Sequence, residues 1–448
     1  PDNSEAYYNM GLALQDQGKL EEAIEAYSKS LTIEPDNAEA YNNLGNALQD
    51  QGRLEEAIEA YNKAISIKPD YAEACTNTGN ALNKKGKLKE AIEAYNKAIS
   101  IKPDNAETHL NMGAALQEQG KLEEAIEAYR AAIAIKPDYT DAIENYFNLE
   151  IQLIGSPISE KTNFNIFRNL RSTLTKRPKF LILKAIHAFL NLDNVSVTKH
   201  INDFNKSDLK QLKSLDPKNK VFISAYSTFL EKLIAKPFDI TNIHKPNTLI
   251  YHFGESHCLS YAHQVISLKG ANYKIIPRII FGAKAFHFSS RNINKFKAIT
   301  ETNFENIPNG SIIFLSFGEI DCRPNEGIIS AAKKHNKPIE DLVSNTVKGY
   351  VSWVAQKNQS KNHTLFFFNV PAPIYNERYT TEVNQEALGT IKLFNSLLYR
   401  TVLDHNFNII DVYKFTFGDD GFSNGDFHID NFHLSCDAIP QIEKQLGI

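Results

Sequence analysis

The sequence YHFGESH, Tyr251 to His257, decides how the second half of the chain folds. It continues the β-rich run that begins at Thr248, and Gly254 permits a sharp bend where the strand ends. We expect a helix from Cys258 to Leu268, which would place Ser256 at a helix N-terminus, where backbone N–H groups are unpaired. A serine in that position is either a nucleophile or an ordinary N-cap residue. The stretch alone favours the N-cap, so the rest of the chain has to decide.

Length and charge limit the class of protein. A chain of 448 residues is long enough for two or three domains, each with a buried core. Residues 1–139 carry 24 acidic and 14 basic side chains, a net charge of −10, so the rest of this chain of net charge −4 carries +6. No dense block of like charge indicates nucleic-acid binding. No apolar run approaches the roughly 18 residues that a membrane-spanning helix needs.

Cysteine and histidine usage argues against disulfide frameworks and metal sites. The chain contains Cys75, Cys258, Cys322 and Cys436. They show no paired spacing and no C-x-x-C motif, so we expect a reducing, cytoplasmic setting. The histidines nearest the candidate site are His252, His257 and His287. They lack H-x-x-x-H or H-E-x-x-H spacing, and we therefore expect no metal and no cofactor.

Residues 1–139 consist of repeats 34 residues long. The recurring positions are Pro35, Pro69, Pro103 and Pro137; Gly11, Gly45, Gly79 and Gly113; Gly18, Gly52, Gly86 and Gly120; Ala23, Ala57, Ala91 and Ala125; and Tyr27, Tyr61, Tyr95 and Tyr129. This is the tetratricopeptide pattern, which predicts pairs of antiparallel helices stacked as an all-α solenoid. Residues 140–153 resemble a capping helix, so the predicted repeat array is 1–153. Because Pro1-Asp2-Asn3 matches a junction between repeats, we expect further repeats before it.

An asparagine recurs at one position of the first helix in each repeat: Asn9, Asn43, Asn77 and Asn111. The first helices line the concave surface of such a solenoid, and side-chain amides offer donors and acceptors to an extended peptide. The series resembles the asparagine ladder of O-linked N-acetylglucosamine transferases, which implies an extended polypeptide partner. Near-identical repeats also copy every position, so the asparagines could simply reflect the repeat.

Residues 154–245 lack the 34-residue period. Phe180 to Leu192 and Val221 to Ile234 have apolar residues at helical spacing, with the polar stretch Asn202 to Asn219 between them. We expect a helical linker or degenerate repeats here, and no chemistry is visible in the segment.

From residue 246 onward, short apolar strands alternate with helices. The predicted strands are Thr248 to Phe253, Lys274 to Phe281, Ser311 to Phe317, Thr364 to Val370 and Phe407 to Val412. The clearest predicted helices are Ile339 to Gln356 and Asn384 to His405. This alternation predicts a mostly parallel sheet, in which sites form at the carboxyl ends of the strands.

Past the last strand, Asp430 stands three residues before His433. An aspartate at this spacing can accept the Nδ1 hydrogen of the imidazole and leave the other ring nitrogen for a serine. With a serine after the first strand and glycines after the second and third, the order resembles that of the SGNH or GDSL hydrolases. That resemblance covers 246–448 and implies an α/β flavodoxin-like fold with a parallel sheet.

The resemblance assigns roles to particular residues. Gly254-Glu255-Ser256 matches the first block, which is usually Gly-Asp-Ser, and implies that Ser256 is the nucleophile. Gly282 matches the second block, so its N–H and that of Ser256 would form the oxyanion hole. Asp430 and His433 match the last block, which implies a general base and its orienting carboxylate.

The third block departs from the family pattern. It usually reads Gly-x-Asn-Asp, but here Ile320 replaces the asparagine that supplies a side-chain oxyanion donor. Loss of one such donor typically lowers kcat about 10²- to 10³-fold, which weakens an enzyme without abolishing it. Arg323 or Asn369 could substitute, although Arg323 is also suited to an ion pair with Glu319 or Asp321.

The sequence therefore predicts a serine esterase or acyltransferase acting on short acyl esters, such as those of a glycan, with a polypeptide held by the repeats. A rival prediction is an adaptor whose terminal domain keeps the fold but has lost turnover. A third is a glycan-modifying enzyme that acts on the protein bound by the repeats.

Overall fold

The computed structural model describes residues 3–156, 177–207, 215–235, 248–430 and 433–446. The chain divides into two compact units, Pro1–Tyr146 and Phe147–Ile448. The division falls within a helix that begins at Thr140.

The first unit is entirely helical in its described part. Its helices are α1 (Ser4–Asp16), α2 (Leu20–Ile33), α3 (Ala38–Asp50), α4 (Leu54–Ile67), α5 (Ala72–Lys84), α6 (Leu88–Ile101), α7 (Ala106–Gln119) and α8 (Leu122–Ile135), followed by α9 (Thr140–Gln152). Each repeat contributes two of them, which confirms the predicted helical pairs.

A glycine on each first helix packs against a tyrosine on the second helix of the same repeat. The four tyrosines are almost completely inaccessible to solvent. A Cβ added at Gly79 would lie 2.5 Å from the Tyr95 ring, and Gly45 meets Tyr61 at the same distance. The recurring glycine therefore allows the two helices to approach until the ring fills the space between them.

Turns and caps inside the repeats follow local chemistry. Gly18, Gly52, Gly86 and Gly120 end the first helices with φ of 74°, 80°, 75° and 86°, a left-handed conformation that favours glycine. Asn37 caps α3 by accepting the N–H of Ala40 at 2.9 Å. In the third repeat the equivalent residue is Tyr71, which makes no side-chain cap.

Within residues 177–207 and 215–235, three helices precede the sheet of the second unit: Pro178–Leu190, Asn194–Asn205 and Pro217–Ile234. The first and third correspond to the predicted helices. The second helix begins before the predicted polar stretch Asn202 to Asn219, and Asp193 caps it by accepting the N–H of Ser196 at 3.0 Å. It ends inside that stretch. The parts 157–176, 208–214 and 236–245 of the predicted linker lie outside the described residues.

The second unit contains a six-stranded sheet. Its strands are β1 (Thr248–Gly254), β2 (Val265–Leu268), β3 (Ala271–Ile279), β4 (Ile312–Ser316), β5 (Thr364–Phe368) and β6 (Asn408–Ile410), arranged in the order β2-β3-β1-β4-β5-β6. All neighbouring pairs are parallel except β2 with β3. From β1, the chain first adds strands towards one edge of the sheet (β3 and β2) and then towards the other edge (β4, β5 and β6). A topological switch point therefore lies between β1 and β4, and α/β sheets commonly bind ligands at such a point.

The prediction of a helix from Cys258 to Leu268 is wrong. Only His257–Ser260 is helical, and Val265–Leu268 forms the antiparallel edge strand β2. Lys269 and Gly270 both have positive φ, 50° and 76°, as a two-residue type I′ hairpin turn requires. The same hairpin adds one antiparallel pair at the edge, so the sheet is mixed but mostly parallel, as predicted.

The remaining elements connect and cover the strands. They are the helices Ala285–Ser289, Lys295–Glu305, Gly327–His335, Ile339–Asn358, Thr381–Asp404, Tyr413–Thr416 and Ile439–Gln445, and the 3₁₀ turns Ile320–Cys322 and Cys436–Ala438. A buried cluster joins β1, β4 and β5 through Ile250, Phe314 and Phe368. None of the helices in the described part of the chain is long and apolar enough to cross a membrane.

Replacing glycine by alanine should have opposite effects at two helical positions. Gly79→Ala places a methyl group against the Tyr95 ring, and we expect a loss of about 1 to 3 kcal/mol in unfolding free energy despite the better helix propensity of alanine. Gly389 lies in Thr381–Asp404 with open space at its Cβ position, so Gly389→Ala should stabilise by up to about 1 kcal/mol. Urea unfolding measures both changes, and destabilisation of equal size would contradict the packing argument.

Candidate active site

Ser256 lies in a tight turn directly after β1. Its backbone has φ −54° and ψ −27°, and the short helix His257–Ser260 begins at the next residue. A Cβ at Gly254 would overlap the Ser316 hydroxyl of β4. Close packing against β4, not a left-handed backbone, therefore explains the glycine before the turn.

The Ser256 hydroxyl and the His433 imidazole are in direct contact. Oγ of Ser256 lies 2.6 Å from Nε2 of His433, although 177 positions separate the two residues in the chain. Ser256 is 4% exposed and His433 is 5% exposed. This distance is in the range that a general base needs to remove a serine proton.

Asp430 orients the imidazole. Nδ1 of His433 lies 2.9 Å from Oδ1 and 2.7 Å from Oδ2 of Asp430, and the His433 backbone N–H donates to Oδ1 at 2.8 Å. The Ile429 N–H closes this loop by donating to the His433 carbonyl at 2.7 Å. A carboxylate beside Nδ1 favours the tautomer that carries its hydrogen there, which leaves Nε2 as the acceptor for the serine hydroxyl.

Glu255 contacts two groups of Ser256. Its Oε2 contacts the Ser256 hydroxyl and accepts the Ser256 backbone N–H, while its Oε1 accepts the Tyr226 hydroxyl at 2.7 Å. A hydroxyl has one hydrogen, so Ser256 cannot donate to Glu255 and to His433 at once. Hydrogen bonds to both require a second hydrogen, on Glu255 or on Nε2 of His433.

Gly282 follows β3 at the same edge of the sheet as Ser256. Ile279, the last residue of β3, pairs with Gly254 at the end of β1. Gly282 has φ 68° and open space at its Cβ position. Ile320, which replaces the expected asparagine, is buried and apolar and supplies no donor.

The two side chains considered as substitute oxyanion donors are engaged with carboxylates. Arg323 donates to Glu319 through Nε at 2.8 Å and Nη2 at 2.7 Å. Burial opposes ionisation of Glu319, but the Arg323 charge and hydrogen bonds outweigh it and lower the pKa. Asn369 donates to Asp411 at 2.6 Å and accepts the Tyr413 N–H at 3.1 Å. Both side chains are therefore held by carboxylates in this arrangement.

Asp321 joins the loops that follow β3 and β4. Its carboxylate accepts the N–H of Ala285 at 2.7 Å and that of Phe286 at 3.1 Å. Burial raises the pKa of Asp321 to about 7, outweighing these two hydrogen bonds, which lower it. Because Gly282 lies three residues before Ala285, Asp321 anchors the loop that carries a candidate oxyanion donor.

The other reactive side chains near the site are buried in the core of the domain. Burial raises the pKa of the Cys258 and Cys322 thiols well above the usual value, so both stay protonated. His252 lies in β1, with Nε2 2.9 Å from the Ser316 hydroxyl of β4, and burial lowers its pKa to about 3. Within the described ranges, no group of three or more His, Cys, Asp or Glu side chains could hold a metal ion.

A cleft of about 60 Å³ lies next to Ser256 and His433. Its polar lining includes Glu319, Arg323 and His428, and its apolar wall includes the segment 370–374. Burial, followed by the neighbouring His257, lowers the pKa of His428 to about 4, so its imidazole is neutral near pH 7. Ser256 and His433 are not among its lining residues, so the cleft adjoins the reactive pair without containing it.

The asparagine ladder contributes to contacts between repeats. Asn9 is exposed, and the other three are half-buried. Those three donate to the preceding repeat: Asn43 to Tyr8 at 2.9 Å, Asn77 to Asn42 and Asn46 at 3.0 and 3.1 Å, and Asn111 to Asn80 at 3.0 Å. Stacking of the repeats therefore gives these residues a role that does not involve a ligand.

Sequence reasoning predicted the helix Pro217–Ile234, here called the covering helix, but missed its contacts with the candidate site. The Phe229 ring stacks on His433 with centroids 4.3 Å apart and planes at 24°, and Tyr226 donates to Glu255. The only signal was the helical spacing of its aromatic residues, which is equally typical of a packed core face.

Titration of Asp321 should make its contribution to stability depend on pH. Its folded pKa of about 7 lies above the ordinary value of 3.8, so the stabilisation is complete below about pH 4 and is lost as the pH rises through 7. We expect the advantage of the wild type over Asp321→Ala in urea unfolding to shrink between about pH 4 and pH 7, by at most about 1.4 kcal/mol per pH unit. The exposed Asp341→Ala variant is the control, and an advantage that does not change with pH would contradict the argument.

Comparisons with known proteins concern the repeats. Tetratricopeptide repeat families match residues 2–70 and 106–139, and a family described as TPR repeat matches residues 79–120. No curated protein matches the chain.

Among solved structures, PilF of Pseudomonas aeruginosa is 20% identical, covers 50% of this chain and 96% of its own, and gives a TM-score of 0.38. MamA of Desulfovibrio magneticus RS-1 is 21% identical over 37% of this chain and 92% of its own, with a TM-score of 0.33. YrrB, described as a TPR protein with an unusual peptide-binding site, is 20% identical over 44% and 91%, with a TM-score of 0.31. TM-scores this low support no argument about fold or function. The family matches, however, agree with the helical pairs of the structure. Residues 2–70 and 79–139 are tetratricopeptide repeats, which suggest protein–protein interaction.

Proposed function

We propose that residues 246–448 act as an SGNH-type serine esterase or acyltransferase, and that the repeats recruit a polypeptide partner. The observation that supports this most is the continuous hydrogen-bonded chain from Ser256 through His433 to Asp430. A serine, a base and an orienting carboxylate in this geometry are the minimum for nucleophilic acyl transfer.

In the proposed reaction, Ser256 Oγ attacks the carbonyl carbon of an ester while Nε2 of His433 takes the hydroxyl proton. Asp430 stabilises the resulting imidazolium. The N–H groups of Ser256 and Gly282 hold the oxyanion of the tetrahedral intermediate. As the ester bond breaks, His433 returns the proton to the departing alkoxide, leaving an acyl-serine. Water or an acceptor hydroxyl then attacks the acyl-serine, with His433 again as base.

Short acyl groups fit this site best. The adjoining cleft is only about 60 Å³, and its apolar wall alternates with polar groups at Glu319 and Arg323. An acetyl group needs little apolar space, whereas a long acyl chain needs an extended channel. Esters of a carbohydrate hydroxyl are therefore the proposed substrates.

A serine-reactive fluorophosphonate tests the proposal directly. Wild-type protein should become labelled at Ser256 and should hydrolyse p-nitrophenyl acetate, while Ser256→Ala should lose both because no nucleophile remains. His433→Ala should lose turnover by a factor of at least about 10³, since the serine then lacks its base. Ser260→Ala, a buried serine four residues on, is the matched control and should label normally. Esterase activity that survives Ser256→Ala would refute the mechanism.

The second candidate is an adaptor in which the terminal domain has little or no turnover. The contact of Glu255 with the Ser256 N–H favours it, because a carboxylate occupies a donor that the oxyanion would need. The absence of a donor at Ile320 points the same way. Lack of both labelling and hydrolysis in a folded wild-type protein would select the adaptor.

For the repeats, we propose an extended polypeptide partner in the groove lined by the first helices. A partner held there would either be the substrate of the second unit, including a glycosylated protein, or bring the enzyme to its substrate. A cytoplasmic setting belongs to the same proposal, because all four cysteines are free thiols.

Paired substitutions separate the ladder from the rest of the repeats. We expect Asn43→Ala/Asn77→Ala to reduce capture of polypeptide partners in a pull-down at least tenfold, because two amides that face an extended backbone are removed. Asn62→Ala/Asn96→Ala is the matched control, since both asparagines are exposed and lie on the second helices. Because Asn77 also bonds to the preceding repeat, circular dichroism must show that the first pair stays folded. Unchanged capture by that folded pair would exclude the ladder as the binding surface.

A further inference from the structure

The covering helix contacts each residue group of the candidate site, although it precedes β1 in the chain. Three of its side chains make these contacts: Tyr226, Phe229 and Lys232. They are three residues apart, so they lie along one stripe of the helix surface. The exposed residue Thr228 lies between them in sequence but on another face.

Phe229 restricts the imidazole. Its ring is 1% exposed, and it lies almost parallel to His433 at 4.3 Å. The edge of the same imidazole carries the hydrogen bonds to Ser256 and Asp430. A flat neighbour on the ring face opposes tilting of the imidazole, while the two hydrogen bonds fix its direction within that plane.

Tyr226 restricts the serine turn. Its hydroxyl donates to Glu255 at 2.7 Å, and its ring packs 4.7 Å from Phe222 and 5.6 Å from Phe281. Burial raises the pKa of Tyr226 far above the usual value, so the hydroxyl remains a donor. The carboxylate that it holds contacts Ser256 through the other oxygen.

Lys232 completes the stripe at the third part of the site. Its Nζ donates to the Ile429 carbonyl at 2.5 Å. Ile429 stands immediately before Asp430, and its N–H closes the loop to His433. One helix therefore touches the residue before the serine, the imidazole itself and the residue before the aspartate.

We propose that the covering helix is part of the catalytic site, with Phe229 and Tyr226 as positioning residues for His433 and Ser256. This inference rests on the proposed acyl transfer, because it assigns the helix a role in that reaction. It also requires that residues before 246 contribute to activity, which the family resemblance does not provide. A helix that served only as an apolar cover would need neither the flat stacking nor the buried hydroxyl.

The test uses full-length protein and p-nitrophenyl acetate. Phe229→Leu keeps an apolar side chain but removes the ring that stacks on His433, and we expect kcat to fall about fivefold to tenfold with KM unchanged. Phe229→Tyr keeps the ring and should restore most of kcat.

Tyr226→Phe removes only the hydroxyl and should lower kcat about tenfold. Thr228→Ala is the control on the same helix. Wild-type kcat in Phe229→Leu and Tyr226→Phe would overturn the inference.

A second measurement does not depend on turnover. In wild-type protein labelled at its histidines, the Nδ1 hydrogen shared with Asp430 should give a protected, downfield NMR resonance. We expect it to broaden or exchange faster in Phe229→Leu and to persist in Thr228→Ala. If wild-type protein has this resonance but neither labels nor hydrolyses the ester, the proposed function fails while the positioning role of Phe229 is supported by loss of the resonance in Phe229→Leu. An unchanged resonance in folded Phe229→Leu would overturn that role.

Discussion

The contact between Ser256 and His433 is the constraint on which the rest of the second unit depends. Ser256 follows β1 in the middle of the sheet, whereas the chain reaches His433 only after β6 at the far edge. The segment after β6 must therefore return across the ends of β5 and β4. A hydrogen bond from the Ser423 N–H to the Pro373 carbonyl at 2.8 Å anchors this return beside the segment after β5. Leu434 then joins the core with Ile250 of β1, so burial of an apolar side chain fixes the imidazole next to it.

Burial makes the hydrogen count at this contact decisive. Tyr226, Glu255, Ser256, His433 and Asp430 form one chain of polar groups in an almost dry environment, where each unpaired group would be costly. If Glu255 is ionised and takes the serine hydrogen, His433 must carry hydrogens on both nitrogens and cannot act as a base. A reactive Ser256 instead donates to a neutral imidazole, which requires Glu255 to be protonated or to turn away. Turning away would break the hydrogen bond from Tyr226, so the positioning role proposed for Tyr226 goes with the other arrangement, in which Glu255 carries the second hydrogen.

Local patterns predicted much of the fold, but not the parts set by tertiary contacts. The 34-residue period defined the helical pairs, and β1, β4 and β5 were predicted within a few residues because buried parallel strands are short apolar runs. The predicted helix after Ser256 failed because Val265–Leu268 pairs with β3 around a turn of positive φ at Lys269. Sequence motifs named Ser256 and His433 but could not find Phe229, whose position follows only from the docking of a helix that carries no motif.

Hydrogen bonds between stacked repeats limit what the ladder asparagines can offer to a peptide. Asn77 donates to both Asn42 and Asn46, which accounts for the two hydrogens of its amide. An extended peptide has an N–H and a C=O at nearly every residue, but its C=O groups would have to compete for hydrogens that already join two repeats. Recognition at Asn77 without loss of the stacking contact must therefore use the amide oxygen as acceptor. If the proposed ladder binds a peptide, the residue opposite Asn77 must therefore offer an N–H, and a proline there would remove that donor.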